Sequence, residues 1–252
     1  MKNYQTLVHQ DIIARLQPLL QNKSIWINTE GKLEGHAGIE TVIPWIQVRS
    51  DKEMNCALWH HIWFIYFEFI PSYCLNCWKV VVRPRTLKEL FALYELQEDV
   101  AMGRACKCGI EIRDTVPAPY GGYFYNNSLE EGQECYRQVR WAVDHSLSPE
   151  TSVILKRGCT EFELKHPQSN TWPAADSKQL EFEATLNGLF AMPPLFKGQP
   201  QYLINHIITK WIEHAYKYGD ETYKLYTGGR PLYPPVVTYH ESDPVENNGD
   251  QN

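Results

Sequence analysis

The stretch WKVVVRPRTLKE, at residues 78–89, decides the fold, because a β-branched run passes there directly into a helix signal. Residues 78–83 have the composition of a strand. Thr86 and Glu89 have the spacing of a capping box, in which the threonine caps the helix backbone and the glutamate reaches back. The apolar residues that follow keep helical spacing, which predicts a helix to about Val100.

The same alternation of elements continues downstream. Residues 108–113 (CGIEIR) and 122–126 (GYFYN) are predicted strands, and Ser128 with Glu131 forms a second capping box that opens a second helix. Residues 152–164 then predict a fourth strand. The order βαββαβ resembles the ferredoxin-like, split βαβ arrangement, which implies the strand order 4-1-3-2 and both helices on one face.

We therefore predict an α+β protein in four parts. Residues 1–72 supply a helix and strands that pack on the core, including an aromatic strand at 60–70 that is buried on both faces. Residues 73–168 form the ferredoxin-like core with a zinc site. Residues 169–239 form a helical segment, and residues 240–252 are a disordered acidic tail.

Composition and charge exclude one class of protein. The chain has 252 residues, of which 43% are hydrophobic and 21% charged, which is enough to build a core. The formal net charge is −6, and the tail at 240–252 contributes four acidic residues and no lysine or arginine. Polycationic, histone-like binders of nucleic acid need a large positive excess, so the chain is not one of them.

The sequence also predicts the compartment. Residues 1–20 contain no charged-then-apolar signal segment, and the most apolar stretch, 62–70, is far shorter than the ~20 residues of a membrane span. Seven cysteines are an odd number, which fits an oxidising compartment poorly. We expect a soluble, cytoplasmic protein with no membrane partner.

Two close cysteine pairs predict a structural zinc ion as cofactor. Cys74 and Cys77 precede the first strand of the core, and Cys106 and Cys108 open the second. Because both strands would begin at the same edge of the sheet, four thiolates could surround one tetrahedral zinc ion. Cys159 is an alternative ligand. Two other interpretations stay open: unligated core cysteines and a redox dithiol.

Charged and aromatic residues alternate with apolar ones along the predicted strands, on the sheet face away from the helices. In proteins with this fold, that face often binds single-stranded nucleic acid, with aromatic rings stacked on the bases. The predicted nucleic-acid-binding residues are Lys79, Arg83, Arg113, Tyr123, Tyr125, Lys156 and Arg157. Alternatively, residues 1–70 and the C-terminal helices cover this face and its charges pair internally.

Three functions are therefore considered. The first is binding of single-stranded nucleic acid, or of a protein complex that processes it, through the sheet face. The second is a protein-interaction module with structural zinc, since tyrosine and tryptophan are enriched at interfaces. The third is a Mg²⁺-dependent nuclease built on Glu161, Glu163 and Lys165, with Asp144 upstream. No nucleotide-binding or hydrolase motif occurs, so no catalytic residue is assigned and enzymatic activity is left open.

Parts of residues 73–172 resemble a group of known sequences. The segments that carry the resemblance are YCLNCWKVVVRP, YGGYFYN and KRGCTEFELKHPQSNTW. They are similar to uncharacterised proteins of tailed phages. The resemblance implies a phage-encoded protein in the host cytoplasm, and it implies no activity and no residue roles.

Overall fold

The structure is a computed structural model that describes residues 9–35, 44–49, 56–99, 104–191 and 198–239. It has an α+β fold, in which helices pack on a five-stranded antiparallel sheet. The predicted acidic tail lies outside the described residues.

The sheet has the strand order β3-β5-β6-β4-β7. Its strands are β3 (Trp45–Arg49), β4 (Trp78–Arg83), β5 (Cys106–Ile110), β6 (Tyr120–Asn126) and β7 (Ser152–Arg157). A separate hairpin consists of β1 (Ile25–Ile27) and β2 (Leu33–Gly35). β4 is an interior strand of the sheet, and it pairs antiparallel with both β6 and β7.

Nine α-helical segments are present in the described ranges. They are α1 (His9–Gln21), α2 (Cys56–Leu58), α3 (Ile65–Phe67), α4 (Ser72–Leu75), α5 (Leu87–Asp99), α6 (Leu129–Ser146), α7 (Thr160–Lys165), α8 (Ser177–Leu189) and α9 (Gln201–Tyr218). A π-helix (Trp59–Phe64) joins α2 to α3, and two 3₁₀ helices follow α7 and α9 (Ser169–Thr171 and Glu221–Tyr226).

Both predicted capping boxes are confirmed. The Glu89 N–H donates to Thr86 Oγ1 at 3.2 Å, and the Glu131 N–H donates to Ser128 Oγ at 3.2 Å. In each box the glutamate carboxylate also accepts the N–H of the residue before the cap. These short-range bonds satisfy N–H groups that have no partner within the helix, so they fix where α5 and α6 begin.

Two large apolar cores and one small apolar cluster hold the fold together. The first lies between the sheet and helices α5, α6 and α9, and includes Val80, Leu90, Val139 and Trp211. The second is formed by α1, the β1–β2 hairpin, the segment at 56–75, α7 and α8. The first core covers one face of the sheet, and the small cluster of Trp45, Val81 and Tyr123 lies among polar residues on the other face.

The aromatic strand predicted at 60–70 is wrong, because that segment is helical through the π-helix Trp59–Phe64 and α3. Trp59, Trp63 and Phe67 recur every four residues, and all three are buried in the second core. A run made mostly of apolar and aromatic residues has too few polar residues to reveal its period, so a buried helix and a buried strand look alike in sequence.

The strand predicted at 152–164 is too long. β7 ends at Arg157, and Gly158 then turns the chain with a positive φ of 63° into helix α7. A side chain there would also collide with Trp172, because a Cβ would lie 2.6 Å from its ring. Glycine at this position is therefore required both by backbone conformation and by space.

Close contact between β3 and β5 gives a stability prediction. A Cβ on Gly109 would lie 2.3 Å from the Pro44 carbonyl oxygen, so Gly109→Ala should lower the free energy of unfolding by about 1–3 kcal/mol. Gly188 in α8 has no atom within 4 Å of the corresponding position, and Gly188→Ala should raise it by up to about 1 kcal/mol. Urea unfolding measures both. Equal effects would contradict the close packing of β3 on β5.

Candidate functional site

One face of the sheet carries polar side chains, and it is called the polar face here. On β4, Val80 and Val82 point into the first core, so the residues that alternate with them point to the opposite side. Register places Lys79 opposite both Tyr125 of β6 and Lys156 of β7. The polar face comprises Lys79, Val81, Arg83, Lys107, Glu111, Tyr123, Tyr125, Ile154 and Lys156.

At one end of the polar face, Lys79 is buried with 7% of its surface exposed. Its ammonium donates to Cys159 Sγ at 2.9 Å and lies 5.5 Å from the centre of the Tyr125 ring. Burial favours the neutral amine, but the neighbouring sulfur atoms of Cys159 and Cys77 outweigh it and raise the pKa of Lys79 above its ordinary value. The Lys79 ammonium is therefore buried and is not presented to solvent.

Toward the other end, Glu111 anchors a network of charges. Its side chain is 1% exposed and accepts from Arg113 Nε at 2.8 Å and from the Tyr123 hydroxyl at 2.9 Å. Arg113 also pairs with Glu161 of α7 at 2.8 Å. Burial opposes ionisation of Glu111, yet the bonds from Arg113 hold the pKa of this carboxyl below its ordinary value.

A second ion pair, between Lys156 and Glu163, also lies on this side of the sheet. Lys156 Nζ lies 2.8 Å from Glu163 Oε2 and 3.1 Å from the Thr160 hydroxyl, and Glu163 also accepts from Ser169. Burial would raise the pKa of Glu163, but the hydrogen bond from Lys156 lowers it. Both charges of this pair are thus satisfied by neighbours.

A cleft of about 270 Å³ lies between these groups. Its lining residues are Val81, Arg83, Glu111, Thr115, Val116, Tyr120, Gly121, Tyr123, Ile154, Lys156, Thr160 and Glu163. Arg83 differs from the other charged residues of the lining. Its side chain has no hydrogen bond or ion pair with any residue in the described ranges, and its Nε is buried without a partner. The cleft therefore offers one guanidinium whose Nε has no partner in the described ranges.

The predicted nucleic-acid-binding residues are not presented together as an open surface. Arg83, Tyr123 and Lys156 line the cleft, and Arg113 lies beside it. Lys79 and Tyr125 are at the other, buried end of the polar face. Arg157 lies elsewhere: its guanidinium donates to three backbone carbonyls and sits between two indole rings. Every one of these seven side chains except Arg83 is engaged by neighbours.

The predicted zinc ligands separate onto the two sides of the sheet. Cys106 and Cys108 alternate on β5, so both point into the first core under the helices. Cys74 is in the second core, and Cys77 neighbours Cys159 and Lys79. No three Cys, His, Asp or Glu residues in the described part of the chain form a group that could hold a metal ion. As placed, the cysteines do not fit one tetrahedral zinc ion, and zinc stays a prediction from the sequence alone.

The candidate nuclease residues have separate partners. On α7, Glu161 pairs with Arg113, Glu163 with Lys156, and Lys165 with Glu68. Asp144 lies on α6 and pairs with Arg140 of the same helix. Residues 161, 163 and 165 would share one face of the strand that was expected here. In the observed helix, residues two positions apart point in different directions, so these side chains are not aligned.

Sequence reasoning missed several residues of the cleft. Glu111, Thr115 and Thr160 line it beside Arg83. The spacing Glu111-x-Arg113 was the available signal for a local ion pair. The partner of Arg113 across the chain, Glu161, carried no such signal because 47 residues separate the two.

Comparisons with known proteins assign no family to the chain. No protein-family model, no curated protein and no solved structure matches the chain. They therefore add nothing to the resemblance to tailed-phage proteins. Within the described ranges, no helix is long and apolar enough to cross a membrane.

Proposed function

We propose that the chain binds a small anionic molecule in the cleft, through a carboxylate or phosphate group that meets Arg83. The observation that carries this proposal is the unpaired guanidinium with its buried Nε. A buried donor without a partner is costly, and a charged donor more so. The planar fork of arginine matches the oxygens of carboxylate and phosphate groups in pairs.

The other charged residues of the cleft have partners. Glu111 accepts from Arg113, and Glu163 pairs with Lys156, so Arg83 is the charged residue of the lining that is without a partner in the described ranges. Thr115, whose hydroxyl can donate a hydrogen bond, is also in the lining. We therefore infer a binding site and assign no reaction to it.

The size of the cleft favours a small molecule over a nucleic-acid strand. A volume of about 270 Å³ is just below the ~300–1,000 Å³ of sites for drug-sized ligands. A single strand would need a continuous basic groove with exposed rings for stacking. Tyr123 is only 9% exposed, and its hydroxyl is bonded to Glu111. Nucleic-acid binding through this face is accordingly the alternative that the test below must separate.

We also propose that β4–β7 with α5 and α6 are a ferredoxin-like unit, to which β3 adds an edge strand. The order β7-β4-β6-β5 supports this, as does the position of α5 and α6 in the same core. In this arrangement the cleft lies on the face that the two helices leave free, and α7 forms one of its walls.

The test is ligand-dependent thermal stability of the full chain. Inorganic phosphate, acetate, citrate, adenosine monophosphate and a single-stranded oligonucleotide would each be titrated at constant ionic strength. At least one small anion should raise the melting temperature, since a ligand at 100 times its Kd stabilises by about 2.7 kcal/mol. Arg83→Met should abolish the shift.

Arg137→Met is the matched control, because Arg137 is an exposed arginine of α6 with its side chain 66% accessible. It should leave the anion-dependent shift unchanged. A full shift in Arg83→Met would overturn the proposal. A shift with the oligonucleotide and with none of the small anions would replace it by the nucleic-acid alternative.

A further inference from the structure

An apolar row crosses the floor of the cleft, and the contact proposed for Arg83 leaves it unused. Val81 of β4 lies directly opposite Tyr123 of β6 and Ile154 of β7. Residues that are opposite in neighbouring strands point to the same face of a sheet, and all three line the cleft. Val81 and Tyr123 also belong to the small apolar cluster with Trp45, and Ile154 packs against that cluster. The floor of the cleft is therefore apolar across three strands.

Arg83 lies beside this row. It is two residues after Val81 on β4, so it points to the same face, with its Cα roughly 6.6–6.8 Å further along the strand. On the other side of the row lies Lys156, two residues after Ile154 on β7, together with its partner Glu163. The cleft thus has a guanidinium at one side of an apolar floor and an ion pair at the other.

The spacing of these groups limits the size of the ligand. A carboxylate that meets Arg83 places its chain over the apolar row, which occupies roughly 7 Å along the strand. Because carbon–carbon bonds are ~1.5 Å long, a chain of about four or five carbons, or a single ring, spans that distance. Val116, from the loop between β5 and β6, adds another apolar side chain to the lining. A cleft of about 270 Å³ therefore suits a compact apolar body.

The charges of the lining favour a ligand with one negative charge. Arg83 is the cation without a partner in the described ranges, whereas Glu111 and Glu163 are carboxylates of the same lining. A phosphate ester carries about −1.5 to −2 at pH 7, so part of its charge would face these carboxylates with no cation to pair it. A carboxylate carries a single charge, and its two oxygens match the fork of one guanidinium.

We propose that the ligand of the cleft is a small monocarboxylate with an apolar body, which lies on Val81, Tyr123 and Ile154 while its carboxylate meets Arg83. This inference rests on the anion site proposed above and narrows the class of its ligand. Contact with the row adds affinity, because it removes apolar surface of both the ligand and the protein from water. Acetate fills only the charged end of the cleft, whereas a longer carboxylate fills both parts.

The experiment is isothermal titration calorimetry of the full chain with straight-chain carboxylates from acetate to octanoate, at constant ionic strength. Acetate would be measured by its displacement of pentanoate. Each CH₂ group that is buried on the row should raise the affinity by about two- to fourfold, so pentanoate should bind about tenfold or more tightly than acetate. Once the chain is longer than the row, the affinity should stop rising.

Two pairs of ligands test the charge separately from the apolar body. Pentanamide has nearly the same chain as pentanoate but no charge, and it should bind about tenfold or more weakly. Phenyl phosphate has the same ring as benzoate but more negative charge, and it should bind more weakly than benzoate.

Two substitutions test the row itself. Ile154→Thr keeps a β-branched side chain but replaces apolar surface by a hydroxyl, so it should weaken pentanoate binding by about fivefold and leave acetate binding unchanged. Ile27→Thr is the matched control, because Ile27 is an isoleucine of strand β1 that is 63% exposed and outside the lining of the cleft. It should leave the binding of both carboxylates unchanged.

The chain-length series on the unmutated protein keeps the test decisive if Ile154→Thr does not fold. Equal affinity for acetate and pentanoate, or tighter binding of phenyl phosphate than of benzoate, would overturn this inference and leave the anion site in place. Pentanamide binding as tightly as pentanoate would overturn the anion site as well, because Arg83 would then contribute nothing. The absence of binding by every anion would have the same consequence.

Discussion

Arg113→Met should lower the free energy of unfolding by about 3 kcal/mol at neutral pH, the lower end of the range for breaking a buried ion pair. Glu111 has a side chain that is 1% exposed, and its charge is held by Arg113. The value is at the lower end of that range because the Arg113 side chain is 34% exposed, so water can partly replace its guanidinium beside Glu111. Urea unfolding followed by circular dichroism would measure the loss.

The double variant Arg113→Met/Glu111→Leu is the control for this prediction. It removes both charges, and it should recover most of the lost stability because no unpaired carboxylate remains. A loss below about 0.5 kcal/mol in the single variant would be that of an ordinary surface substitution. That result would contradict the buried network that forms one wall of the cleft.

The stability that Arg113→Met loses should also depend on pH. Although burial opposes ionisation, hydrogen bonds from Arg113 hold the pKa values of Glu111 and Glu161 below the ordinary 4.5. Each lowered pKa gives stability that is complete above that ordinary value and is lost as pH falls through the folded-state pKa. The difference between the native protein and Arg113→Met should therefore shrink as the pH falls below about 4.5.

Trp211→Ala should lower the free energy of unfolding by about 3–5 kcal/mol, the range for truncating a fully buried aromatic side chain. Trp211 of α9 is 0% exposed, and its indole N–H donates to the Pro44 carbonyl oxygen at 2.7 Å. Its ring also contacts Phe91 of α5. One side chain thus joins α9, α5 and the residue before β3, and circular dichroism in urea would report its loss.

Trp141→Ala is the matched control, since Trp141 on α6 is 66% exposed. It should change stability by no more than about 0.5 kcal/mol. If Trp211→Ala unfolded in two separate transitions, one for α9 and one for the sheet with α5 at its native stability, that result would contradict a shared core between α9 and the sheet.

The parts of the fold that were predictable from sequence are those set by neighbouring residues. Thr86 with Glu89 and Ser128 with Glu131 mark helix starts because their bonds span three residues. The β-branched run at 78–83 forms a strand as expected. The mostly aromatic and apolar run at 60–70 could not be assigned in the same way, because its helical period is visible only once burial is known.

The candidate site was less predictable because contacts between distant residues assemble it. Arg83 and Lys156 were identifiable as cations of the polar face. Which of them pairs depends on α7, and sequence reasoning had placed that segment in a strand. A pattern of charges shows which face is polar, whereas a tertiary structure shows which charge on it is left without a partner.

The central claim, an anion-binding guanidinium at Arg83, can be observed directly by nitrogen–proton correlation spectroscopy of arginine side chains. The Arg83 Nε–H signal would be assigned by its loss in Arg83→Lys. Titration with inorganic phosphate or acetate should shift this signal saturably, while the exposed Arg137 signal moves little. A stationary Arg83 signal, or equal linear shifts of both arginines, would contradict the proposed site.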